Sequence, residues 1–201
     1  MCNSEYLYKK IEEKHTGCIE SIQLISKADN EPSFINSDIK ILNFDRLAKN
    51  IGSSVRSPDG LYYLDNKFLF IEFKDQKSSS LNMDDKCRKK NIDKGMKGKL
   101  YEGISVFSSL LDNTISDLNI KYLVICNPAK NLQKNPVERT MQKAINKSTN
   151  NDEDNTRNKH HIDILKKYFH PLKKLNIKIE IDFIVSEVKL QNFLNSLNPK
   201  S

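Results

Sequence analysis

From Ser57 to Gln76 the chain reads Ser-Pro-Asp-Gly-Leu-Tyr-Tyr-Leu-Asp-Asn-Lys-Phe-Leu-Phe-Ile-Glu-Phe-Lys-Asp-Gln, and this stretch constrains the fold more than any other. Two apolar runs, Leu61 to Leu64 and Phe68 to Phe73, flank Asp65-Asn66-Lys67, a tight-turn signal between strands. The spacing predicts a β-hairpin. Its second strand carries Phe68, Leu69, Phe70, Ile71 and Phe73 on both faces of a period-two element, so it belongs in a sheet interior. Glu72 and Lys74 sit on that strand and Gln76 follows it; alternation places all three on one face. Charges at the end of a core strand cost roughly several kcal/mol unless they are paired or bound to an ion. An antiparallel hairpin also returns Asp59, which follows Pro58, towards Glu72. Two carboxylates and a lysine therefore converge.

The remainder of the 201-residue chain is consistent with one globular unit. Residues 1–36 form an expected helical N-terminal extension packed on a core of residues 37–201. Hydrophobic residues make up 37% and charged residues 29%, with nine Phe and seven Tyr, which is polar for a globular protein yet outside the disordered range. No apolar run approaches the roughly 18 residues of a membrane span, and the N-terminus lacks a signal-peptide core, so the expected location is the cytoplasm with no membrane partner. The four cysteines form no CxxC pair and indicate neither a zinc site nor a disulfide framework.

In chain order, residues 4–14 and 18–27 have helical periodicity. Ser37-Asp38 is a candidate helix start, and Asn43 a candidate N-cap before Phe44, Leu47 and Ile51, with Gly52 as the stop. Ser53 to Arg56 is a candidate short strand. After the hairpin, 77–80 reads as a loop, and Ile92, Met96, Leu100, Ile104, Phe107 and Leu111 make the buried stripe of a long helix. Lys86, Lys90, Lys94 and Lys97 share a different face of it. Between Asp85 and Lys99 there are seven Lys or Arg against two Asp. Gly95 and Gly98 weaken that helix by about 1 kcal/mol each relative to Ala, so it either starts later or lets its backbone approach something closely. A phosphate backbone suits the basic face; a solvated lysine surface suits it equally. Ile120 to Cys126 is a strand expected to join the hairpin's sheet and to end in an Asn127-Pro128 turn. Helices are expected over 136–147 and 161–175, an exposed loop over 148–159, a strand over Ile177–Val185 and a closing helix over Glu187–Leu197.

Net charge of +7, from 33 Lys and Arg against 26 Asp and Glu, favours a polyanionic partner. Pro58-Asp59, twelve intervening residues, then Glu72-Phe73-Lys74 resemble the PD-(D/E)xK nuclease motif. The resemblance covers residues 37–127 and implies an α/β fold with a restriction-endonuclease-like αβββαβ core, a mixed central sheet flanked by helices. It further implies that Asp59, Glu72 and the backbone carbonyl of Phe73 hold magnesium, with manganese as the alternative ion. Hard divalent cations want such oxygens, and they polarise a phosphate and lower the pKa of an attacking water. Asp59, Glu72 and Lys74 are then the catalytic residues, Lys74 positioning or deprotonating that water. Gln76, Lys90, Lys94 and Lys97 become the expected substrate contacts. Members of the family often carry another acidic residue in the preceding helix; Asp45 is the nearby candidate, in a register the sequence does not fix. The expected activity is endonucleolytic hydrolysis of phosphodiesters, of DNA in preference to RNA, in a defence or toxin setting, and a homodimer would suit double-strand cutting. The alternatives are a non-catalytic nucleic-acid-binding domain of degenerate nuclease fold, or an RNA-cleaving toxin domain.

Other chemistries have less support. His160, His161 and His170 lack metal-ligand spacing, no GxSxG motif exists, and Gly95 to Leu100 lacks the spacing and hydroxyl of a phosphate loop.

Overall fold

The hairpin forms as its residues dictate. In the computed structural model, which describes residues 4–27, 32–52, 55–75, 98–111, 118–132 and 177–198, strand β3 (Gly60–Leu64) and strand β4 (Lys67–Lys74) pair antiparallel around Asp65 and Asn66. Both turn residues have positive φ, 50° and 59°, which is the backbone that a two-residue turn needs to match the twist of its strands. On its other edge β4 pairs in parallel with β5 (Asn119–Cys126), so this strand is interior, and the apolar residues on both its faces are buried.

Three further strands complete a six-stranded mixed sheet of order β1-β2-β3-β4-β5-β6, giving an α/β protein. Strands β1 (Ile19–Ser21) and β2 (Lys40–Asn43) extend the antiparallel side, and β6 (Lys178–Ile184) runs parallel to β5. Helices cover both faces. On one, α1 (Ser4–Lys14), α3 (Phe44–Asn50) and α4 (Gly98–Leu110) bury Tyr8, Ile11, Leu47, Leu100 and Ile104 against Phe68, Phe70, Tyr122 and Val124. Phe107 of α4 packs edge-on against Phe68 with ring centroids 4.6 Å apart, and against Phe70 at 5.6 Å. On the other face, α2 (Ile22–Ile25) and α6 (Glu187–Leu197) bury Ile22, Leu190, Leu194 and Leu197 against Leu69, Ile71, Leu123 and Ile125. A further helix, α5 (Pro128–Leu132), follows β5 and precedes α6 in the chain.

Several local expectations hold. Asn43 caps α3 by accepting from the Arg46 N–H at 2.9 Å, and Gly52 just beyond the helix has φ of 78°. The expected closing helix is α6, capped by Ser186. Others are corrected. Within 18–27 the chain forms a 3-10 turn (Thr16–Cys18), strand β1 and only one turn of helix. Ser37-Asp38 starts no helix; the Ile41-Leu42 pair that follows is buried in β2, where the sheet offers more apolar contact than an isolated helical turn. The strand beside the hairpin is this β2; of the candidate strand Ser53 to Arg56, Val55 and Arg56 lie in irregular backbone tied to α4, and Ser53-Ser54 lie outside the described residues. Asn127-Pro128 opens α5 instead of a plain turn, because the Asn127 side chain accepts from the Ala129 N–H and proline is tolerated in a first helical turn. The expected loops at 77–80 and 148–159, the helices over 136–147 and 161–175, and Ile92 and Met96 of the long stripe lie outside the described residues. Among the described residues no helix is long and apolar enough to cross a membrane.

Candidate active site

Asp59 is fixed by backbone on both sides. Its carbonyl accepts from the Phe44 N–H at 3.0 Å, and its Oδ2 accepts from the Phe73 N–H at 2.7 Å. One step beyond the last hairpin rung, Gly60 opposite Ile71, the antiparallel register sets Asp59 across from Glu72. Glu72 shares the sheet face of Phe68 and Phe70 and is fully buried. Burial pushes its carboxyl above the ordinary range and the neighbouring Asp59 charge adds to this; Lys74 and Lys99 pull it back without cancelling the rise.

Two ammonium groups meet these carboxylates. Lys74, at the end of β4 and partly open to solvent, bonds Oε1 of Glu72. Lys99, in the first turn of α4, donates to Asp59 Oδ1 at 3.0 Å and to Glu72 Oε1 at 2.8 Å and Oε2 at 3.0 Å. All three of its N–H bonds are thus used on carboxylate oxygens. Burial alone would lower the Lys99 pKa, but Glu72 and Asp59 outweigh it, and the group is held protonated above its usual value.

Glycines let α4 come this close. A Cβ on Gly103 would lie 2.6 Å from the Pro58 ring, and one on Gly98 would lie 2.4 Å from the Arg56 guanidinium. Gly103 is one turn after Lys99, so the helix face that meets Pro58 also aims Lys99 at Asp59. Arg56 clamps the same junction, its backbone N–H and guanidinium both donating to the Glu102 carboxylate, each at 2.6 Å at the closest.

At the far side of the site, the ends of β4 and β5 are tied together. The Asn127 N–H donates to the Lys74 carbonyl at 2.9 Å, its amide to Asp75 Oδ1 at 2.6 Å, and Lys130 to Asp75 Oδ2 at 2.7 Å. The Asn127 and Lys130 bonds hold the Asp75 carboxyl below its ordinary value. Tyr122 on β5 is fully buried with a hydroxyl that has no hydrogen-bond partner among the described residues; burial, then the charges of Glu72 and Asp59, raise its pKa well above the usual range. Cys126, next to Lys74 across the β4–β5 rungs, is pushed by burial to about 12 and stays a thiol, which removes it as a nucleophile.

The predicted trio of Asp59, Glu72 and Lys74 is therefore brought together, and Lys99, which sequence reasoning did not single out, stands at its centre. Its signal was the glycine spacing around it, Gly98 and Gly103, at the edge of the apolar stripe. Asp45 is not part of the cluster: α3 directs its carboxylate to Lys49 at 2.6 Å and to the Ser57 hydroxyl at 3.2 Å. Gln76, Lys90, Lys94 and Lys97, along with Lys86, lie outside the described residues. A cavity of about 420 Å³ lies at the hairpin end of the sheet beside α6, lined by Leu69, Lys121, Leu123, Asp182 and Phe193, and takes no residue of the carboxylate cluster.

Three carboxylate oxygens converging on one ammonium make a point that a hard divalent cation also suits. In an extended strand a residue's N–H and C=O face the same neighbour, so the Phe73 carbonyl faces the Asp59 side, where its N–H is bonded. Among the described residues no group of three or more His, Cys, Asp or Glu gathers as a metal cluster, so a cation here would rest on two carboxylates, that carbonyl and water. Comparison of the chain with protein-family models, with curated proteins and with solved structures finds no match in any of the three.

Proposed function

We propose that this protein is a magnesium-dependent nuclease of the PD-(D/E)xK type that hydrolyses phosphodiester bonds, with DNA as the preferred substrate. The observation that carries the reading is the convergence of Asp59 and the fully buried Glu72 on a single cation position, with Lys74 bonded to the same Glu72. A fully buried glutamate beside a second, partly exposed carboxylate is a stability cost that a purely structural strand end has no need to carry. Partial support comes from the element order: within residues 37–127 the chain runs β2, α3, β3, β4, α4 and β5, which shares the hairpin, following helix and parallel strand of the αβββαβ core but places its helix α3 after the first strand. The site also lies at the carboxyl ends of parallel strands β4 and β5, where open α/β sheets place ligands.

Asp59, Glu72 and the Phe73 carbonyl would hold the metal, which supplies charge to polarise the scissile phosphate and acidify a water. Lys74 sits at the solvent edge of the pair, where it orients the attacking water and, as the free amine, takes that water's proton. Before a metal enters, Lys99 balances the carboxylate charge, and the Asp75-Asn127-Lys130 latch fixes the backbone of Lys74. The +7 chain charge draws in a polyanion. The test is incubation of the protein with supercoiled plasmid and with short RNA, in magnesium or in chelator. Magnesium-dependent nicking of plasmid that disappears in Glu72→Ala is expected; absence of cleavage of either substrate, or cleavage unchanged in that variant, overturns the reading.

One observation favours a second reading. Lys74 and Lys99 neutralise both carboxylates internally, which a non-catalytic nucleic-acid-binding domain of the same fold would also do. Salt-dependent nucleic-acid binding without hydrolysis, and no metal-dependent rise in Tm, would select it.

A further inference from the structure

We propose that the Lys99 ammonium and a divalent cation are alternative occupants of the Asp59–Glu72 pair, so that metal entry displaces Lys99 and frees its ammonium for a substrate phosphate. This rests on the nuclease reading above. The Lys99 nitrogen takes one oxygen of Asp59 and both of Glu72 at 2.8 to 3.0 Å, the same oxygens that would ligate a metal. Like charges sharing one set of ligands repel, and more strongly where one of those ligands, Glu72, is fully buried. The charge count points the same way: two carboxylates against Lys74 and Lys99 are balanced, and an added dication would leave a net charge of +2 around a fully buried Glu72.

Of the two lysines, Lys99 is the one that must yield. Among the described residues Lys74 bonds only Oε1 of Glu72, whereas Lys99 bridges both residues. The Lys99 side chain is about a quarter exposed, ends a flexible four-carbon stem, and carries a strongly hydrated head, so it can swing outward without moving α4. Its first-turn position keeps the released ammonium beside the site, where a phosphate is the acceptor available on substrate binding. Two consequences follow. The wild-type site binds metal more weakly than its carboxylates alone would allow, and metal and nucleic acid strengthen each other's binding because each favours the displaced Lys99.

The experiment has two arms. In the first, magnesium and manganese are titrated calorimetrically into the wild type, Lys99→Met and Lys99→Gln, with folding of each checked by circular dichroism. Tighter metal binding by both variants, about tenfold or more, is expected; equal or weaker binding in the folded variants overturns the displacement. In the second arm, which needs no variant, Lys99 of the wild type is acylated and followed by mass spectrometry with and without the ion. Faster labelling in the metal-bound protein is expected, and unchanged or slower labelling overturns the proposal. If neither the wild type nor the variants bind a divalent ion, the nuclease reading falls with it; if the wild type binds metal but Lys99 does not respond, the inference alone falls.

Discussion

Strand β4 begins and ends with a lysine paired to a glutamate, and the two pairs differ in almost every physical respect. At the hairpin end, Lys67 reaches Glu180 of β6 at 2.8 Å with side chains 34% and 58% exposed. At the other end, Lys74 and Lys99 meet a Glu72 that is 0% exposed. In water the first pair is worth at most about 1 kcal/mol. In the interior, each charge costs several kcal/mol to desolvate, roughly, and the attraction recovers this only with good geometry. The open pair can be lost without consequence. The buried set is kept at a cost, and such a cost is tolerated where chemistry needs it.

The strongest break of this contrast is removal of the buried acid. Glu72→Ala is expected to abolish plasmid cleavage, and Lys74→Ala to lower the rate about 10²- to 10⁴-fold, the range of a lost proton-transfer group, as measured by single-turnover assays. The next effect is on packing. Gly103→Ala puts a methyl group against the stiff Pro58 ring, and overpacking of about 1–3 kcal/mol should exceed the roughly 1 kcal/mol that alanine gains in a helix. Chemical denaturation should therefore report a net loss, and cleavage should weaken because α4 carries Lys99. A net gain in stability would mean that Pro58 gives way and that the close approach is not needed.

The third break uses acid. Asp75 and Glu102 have folded pKa values below their ordinary 3.8 and 4.5, held down by Asn127 and by Arg56 respectively. A depressed carboxyl contributes stability that is complete above its unfolded pKa and lost as pH falls through the folded value, so these two steepen unfolding below about pH 4.5. Glu72 is raised, so it acts with opposite sign: its folded state gains a proton first, and its contribution to stability grows as pH falls towards its unfolded value. Thermal scans from pH 7 to 3 should show a shallower acid limb in Asp75→Asn and a steeper one in Glu72→Gln. The smallest effect belongs to the open pair: Lys67→Ala should change stability by less than about 1 kcal/mol and leave cleavage unchanged.

Legibility in the sequence followed the range of the interactions. The hairpin, the shared face of Glu72 and Lys74, and the Asn43 cap depend on residues close in sequence and could be read from period and turn chemistry. Strand β1 could not, since three residues become a strand only through their partners in β2. Ser37-Asp38 carries the chemistry of a helix cap, yet the sheet edge claims the next residues. Asp45 became readable once the cap at Asn43 fixed the phase of α3, which turns it to Lys49 and Ser57. Lys99 was hidden because its role arises from contacts with residues 27 and 40 positions away; in the sequence it is one lysine among many.

The two-residue turn at Asp65-Asn66 has a consequence for how such a motif can vary in length. Each β3 residue is paired with the β4 residue equally far from the turn, so the twelve residues between Asp59 and Glu72 are two of turn and five on each strand. Insertions or deletions that add or remove one residue from each strand keep the carboxylates opposite one another, and only those that change each strand by two also keep the turn-side residues on their present faces. A single-residue change breaks the opposition outright. Spacing between the acidic residues is thus quantised, and a chain with the same chemistry is expected to separate its carboxylates by an even number of residues whenever its hairpin closes through a two-residue turn.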